Sequence, residues 1–170
     1  MSAMKKLFVL IAALVFVGAA CSSTTEGNFE IYMKDAPAVY DKILVTITQI
    51  TVHKTGGASY LVSQESRTID LVPLRNREEF ITERHLDPGK YTEIRLITSS
   101  GQVVIGGKTY DMEIPSTEIK IPVQFDIIND QTTKIILDFD AETSIEVHPT
   151  GDASNKYILR PVIQVDSIVY

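Results

Sequence analysis

Asp138 and Asp140 are the pair whose spacing invites chemistry. In a strand, residues i and i+2 point to one face. Asp138-Phe139-Asp140 would then present two carboxylates together, about 7 Å apart at two strand rises, with Phe139 turned to the core. Asp35 and Asp41 flank a separate loop that could approach them. Convergent carboxylates suit Ca²⁺, which takes about six to eight oxygens. The same aspartates could instead cap turns or pair with Arg95, Arg160 or Lys134. No EF-hand spacing is present, so no cofactor is expected, and calcium is the alternative. A paired-carboxylate hydrolase would also need Asp138 and Asp140. Arg95 lies between Ile94 and Leu96 in a strand-like run. A guanidinium there is exposed or paired; a salt bridge to an aspartate is expected, and anion or carboxylate recognition is the alternative.

The remaining chemistry-bearing residues are scattered. His53, His85 and His148 stand at no ligand spacing, which argues against zinc. No serine lies in a nucleophile elbow. Gly106-Gly107 joins two strand-like runs and opens no helix, so it is not a phosphate loop. The chain has no tryptophan, which weakens a stacking site for sugars. These features point to a non-enzymatic protein.

Cys21 is the only cysteine. Before it come Lys5 and Lys6, an unbroken apolar run from Leu7 to Val17, and Gly18-Ala19-Ala20. A basic start, a short apolar stretch and small residues make a signal peptide over residues 1–20. The apolar run is too short to span a bilayer, which takes about 20 residues. With the cysteine directly after Ala20, the segment resembles a bacterial lipobox, with Gly18 where the pattern prefers leucine. The resemblance implies diacylglycerol on Cys21, cleavage before it and further acylation of the new amine. Two or three acyl chains hold a protein firmly to a membrane. Ser22 after the cysteine, rather than aspartate, implies transfer to the outer membrane, on its periplasmic or surface face. Residues 21–28, small and polar, read as a tether.

The formal charge of −6 becomes −8 once Lys5 and Lys6 are removed with the signal. An acidic domain without a basic run is a poor binder of nucleic acid. The expected partners are the membrane, through Cys21, and an unidentified envelope protein or glycan.

Period-two alternation then places the elements. Phe29, Ile31 and Met33 alternate, as do Ile43, Val45 and Ile47. The phase slips before Ile50 and Val52, which predicts a β-bulge near Thr48-Gln49. Leu86-Asp87-Pro88-Gly89-Lys90 reads as a turn, and Gly106-Gly107 as a hairpin turn. Ile119, Ile121, Val123 and Phe125 give the cleanest alternation, followed by Ile135, Leu137 and Phe139. Only Arg75–His85 reads as a short helix or a loop. The expected architecture is all-β: an antiparallel β-sandwich, immunoglobulin-like or prealbumin-like, of about ten strands with at most one short helix near 75–85. One domain covers residues 29–170.

Several stretches occur together in a telling order: Asp35-Ala36-Pro37-Ala38, ILVTITQITVHK from Ile43, IDLVPL from Ile69, LDPGKYTEIRL from Leu86, Ile114-Pro115-Ser116, LDFDAETSI from Leu137 and YILRPVIQV from Tyr157. The set resembles the prokaryotic family known as domain of unknown function 4382, over nearly the whole mature chain. The chain departs from it at Ser59–Val62, where the family often carries tryptophan. The resemblance implies an exported, often lipid-anchored, β-rich protein without an assigned activity. The function expected is a lipid-anchored envelope module that binds or scaffolds. A structural subunit of a surface assembly, or a hydrolase using the paired aspartates, is the alternative.

Overall fold

Alternation writes the first strand. β1 (Gly27–Asp35) buries every second residue, Phe29, Ile31 and Met33 among them. The computed structural model describes residues 25–35, 39–150 and 154–170. The signal segment, Cys21 and residues 36–38 fall outside that description.

β2 (Lys42–Lys54) keeps two registers of burial. Ile43, Val45 and Ile47 face the core, then Ile50 and Val52. Thr48 drops out of the ladder to β6 (Gly89–Ile105) between Ile47 and Gln49, as the slip in the sequence predicts. Ser99 of β6 drops out of the same ladder close by, so both strands carry an extra residue there. β3 (Ser59–Ser63) and β4 (Arg67–Asp70) pair in turn with the two halves of β2. On the far side of β6, its first half pairs with β8 (Glu118–Ile127) and its second with β7 (Lys108–Glu113). Gly106 and Gly107 turn β6 into β7 with φ of +56° and +75°, the two positive values that a two-residue I′ turn needs. β10 (Ile145–Thr150) and β11 (Ser154–Leu159) form a hairpin arm joined to β7, completing an eight-stranded sheet.

The second sheet has four strands, in the order β12-β9-β1-β5. They are β12 (Ile163–Val169), β9 (Thr132–Phe139), β1 and β5 (Glu79–Leu86). The core between the sheets carries a run of aromatic rings. Phe29 stacks on Phe125 at 5.1 Å, Phe125 on Tyr91 at 5.3 Å, and Tyr91 meets Tyr60 edge-on at 5.8 Å. The protein is thus an all-β sandwich-like fold with twelve strands among the described residues.

Two details differ from expectation. Residues 79–86 are strand, not helix; Val72–Asn76 forms only a 3-10 turn, with Pro73 in its first turn. A bulge explains the misleading pattern: the β1–β5 ladder passes from Ile31 opposite Thr82 to Tyr32 opposite Phe80 and leaves Ile81 out. Ile81 and Leu86 are therefore both buried although five residues apart, an odd spacing that breaks the period of two. Pairing is not wholly antiparallel either. β1 runs parallel to β9, and β11 parallel to β7. Because β1 is inserted between β5 and β9, its partners come from distant sequence, and local alternation carries no sign of their direction.

Candidate functional site

The aspartates are held by backbone and by separate elements. Asp35 ends β1, is 4% exposed and accepts the amide of Ala141 at 3.0 Å. Asp138 stands opposite Lys34 on one side and Gln164 on the other, on the outer face of the four-stranded sheet. Its Oδ1 is buried without a hydrogen-bond partner among the described residues, and the Lys34 pKa is raised first by the hydrogen bond to Asp166 and then, to a lesser degree, by the Asp138 charge. Asp140 does not join Asp138 on that face. The strand stops at Phe139, and Asp140 becomes the N-cap of α1 (Ala141–Ser144), accepting from the Thr143 amide at 3.0 Å. Asp41 sits in the other sheet's territory, where its Oδ2 accepts the Gly107 amide at 3.2 Å. The structure therefore brings Asp35 and Asp140 to the same turn and sends Asp41 to a hairpin. Among the described residues no group of three His, Cys, Asp or Glu is placed to hold a metal.

The arginines pair with glutamates rather than aspartates. Arg95 binds Glu93, two residues away on its own strand, and Glu118 across the ladder at 3.1 Å. Hydrogen bonding to Glu93 raises its pKa above the usual value. Arg160 binds Glu146 at 3.0 Å, and that contact, with His148 second, lowers the Glu146 pKa. Lys134, also considered as a partner for the aspartates, binds Glu78 at 2.6 Å and lies 4.0 Å over the Tyr32 ring.

Two features escaped the sequence. The first is a latch at the Asp87 turn. Tyr91 donates its hydroxyl to the Asp87 carbonyl at 2.8 Å, and Tyr60 donates to the Asp87 carboxylate at 2.9 Å. Burial, more than the neighbouring Tyr60 and Asp87, pushes the Tyr91 hydroxyl far above its ordinary pKa. The signal available was the tyrosine placed just after the Pro-Gly turn, close enough to reach back.

The second is a groove. Among the described residues β3 pairs only with β2 and β5 only with β1, yet the two lie side by side. Between them runs an open groove of about 540 Å³, bordered by Leu61, Phe80, Arg67, Glu65, Glu83 and Arg84. Leu61 is 39% exposed and Phe80 40%. Phe80 meets the Tyr32 ring edge-on at 5.5 Å. Arg67 spans the gap, donating to the Ile81 carbonyl at 2.8 Å and to Glu79 at 2.9 Å.

A two-sheet all-β sandwich with an open seam along one side defines the class. The chain belongs to the family described as domain of unknown function (DUF4382), whose model matches residues 26–161. No curated protein and no solved structure matches the chain. Among the described residues, no helix is long and apolar enough to cross a membrane.

Proposed function

We propose that the chain is a lipid-anchored protein of the cell envelope, held at the outer membrane through Cys21, that works as a non-enzymatic binding or scaffold module. The sequence before Cys21 supports the anchor. One structural observation supports binding: the seam between β3 and β5, about 540 Å³ in volume, keeps Leu61 and Phe80 in water. Ligand sites fall at roughly 300–1,000 Å³; this groove is of that size, with Leu61 and Phe80 as apolar points in a mostly polar wall. Arg67 and Arg84 are its cations, and Glu65 and Glu83 its anions. Such a mixture fits an envelope protein segment or a glycan better than a polyanion.

A photocrosslinking side chain at Leu61 or Phe80 is expected to trap an envelope component in living cells. The same group at Lys120, on the outer face of the larger sheet, is expected to trap far less. Equal yields at all three positions would overturn the groove as the binding face. The anchor has its own test, the mass of the peptide that begins at Cys21, where an unmodified thiol would overturn it.

A structural subunit is the second reading, favoured by β12, which among the described residues pairs on one side only. Against it stand two guards. Asp166 is bulged out of the β9–β12 ladder and is bound by Lys34 at 2.6 Å, and bulges and edge charges discourage strand addition.

A further inference from the structure

The end of the sandwich where β1 begins is tightly built. Asn28 donates its amide to the Gln131 carbonyl at 2.9 Å, and Asp130 donates to the Glu26 carbonyl at 3.2 Å. Gly27 packs directly on the Ile128 carbonyl, where a Cβ would clash. The chain is therefore tied to the 128–131 loop from Glu26 onward. Only the peptide units between Cys21 and Glu26 are left to span the distance to the membrane. Fully extended, five residues reach about 17 Å.

This end also gathers exposed apolar surface. Ile128 is 37% exposed, Val169 51% and Tyr170 56%. The Tyr170 hydroxyl accepts the Asp126 amide at 3.3 Å, which fixes β12 beside β8. We infer that this end of the sandwich rests on the bilayer that holds Cys21, with Ile128, Val169 and Tyr170 at the headgroup boundary. The inference rests on the acylation of Cys21 proposed above. Tyrosine suits that depth, because its ring is apolar and its hydroxyl seeks water. A short tether keeps the surface within reach, so weak contacts suffice: attachment at Cys21 makes the second contact intramolecular. Charge selects the lipid. Lys54 and Lys90 stand near this end, but so do Glu26, Asp87, Asp126 and Asp130. The balance disfavours an anionic leaflet and fits zwitterionic headgroups. End-on docking leaves the β3–β5 groove facing sideways and carries the β10–β11 arm outward.

The chain contains no tryptophan, so a single introduced one reports its own surroundings. The acylated full chain is placed in phosphatidylcholine vesicles with brominated acyl chains, as Ile128→Trp, Tyr170→Trp or, on the far arm, Val147→Trp. The emission of the first two is expected to shift to the blue and lose intensity to bromine, while the third is unchanged. Vesicle flotation reports the anchor separately. Protein that floats with the vesicles but shows no quenching at 128 or 170 overturns end-on docking and leaves the anchor intact. Equal quenching at all three positions overturns it in favour of a domain lying on its side. Protein that fails to float and carries an unmodified Cys21 overturns both, through the anchor.

Discussion

The two sheets meet along two seams, and the seams are built differently. At the β8–β12 seam the gap is filled from within. Phe125 of β8 is 2% exposed and stacks between Phe29 and Tyr91. Around it, Thr133 donates to the Asp126 carbonyl at 2.9 Å, and the Asp126 amide reaches the Tyr170 hydroxyl. At the β3–β5 seam one arginine crosses a groove, and two large apolar side chains remain in water. The first seam holds the fold and the second leaves it open.

The sharpest way to break this contrast is to cut the rings. Phe125→Ala removes a buried ring that touches both sheets, and it is expected to cost about 3–5 kcal/mol. Chemical denaturation would measure it. A loss below about 1 kcal/mol would mean that the β8–β12 seam is no firmer than the other. Tyr91→Phe keeps the stack and deletes the hydroxyl that holds the Asp87 carbonyl. It is expected to cost about 1–2 kcal/mol, the usual effect of losing one partner of a sheltered hydrogen bond.

Arg67→Ala tests the open seam. The variant loses the donor to the Ile81 carbonyl and the ion pair to Glu79, with an expected cost of about 1 kcal/mol. The more telling readout is hydrogen exchange. Faster exchange is expected in β5 and β3 while β8 and β9 keep their protection; loosening of both seams together would refute the contrast.

How much of this was legible follows from which interactions are local. The bulge at Thr48, the Gly106-Gly107 turn and the core faces of β1, β2 and β8 repeat with the pleat, so spacing alone finds them. β5 was obscured because its bulge shifts the phase, leaving the buried Ile81 and Leu86 an odd five residues apart. The placement of Asp140 was obscured because its side chain caps a one-turn helix, and the strand ends one residue earlier than alternation implies. Glu93 as a partner of Arg95 was readable from the i−2 spacing. Glu118 was not, because it depends on the β6–β8 register. The β3–β5 groove lies between strands that never pair, and no one-dimensional pattern encodes such a gap.

Acid titration separates the surface ion pairs from both seams. Lys34 holds the Asp166 carboxyl below the usual carboxylate range, Lys156 does so for Glu113, and Arg160, then His148, for Glu146. A lowered folded pKa contributes stability that is complete above the unfolded value, about 4, and is lost as pH falls through the folded one. Stability is therefore expected to decline below about pH 4, the decline shrinking in Asp166→Asn. These pairs are solvent-exposed, so high salt should flatten the same limb.

Phe80→Ala carries the smallest expected effect on stability and the largest bearing on function. Phe80 loses an edge-on contact with Tyr32 but empties little of the core, so the cost should stay under about 1 kcal/mol. If the groove is the binding face, crosslinking from position 61 should fall sharply in this variant while its unfolding curve barely moves. A variant that unfolds early would show instead that Phe80 braces the sandwich, and the two seams would then differ only in degree.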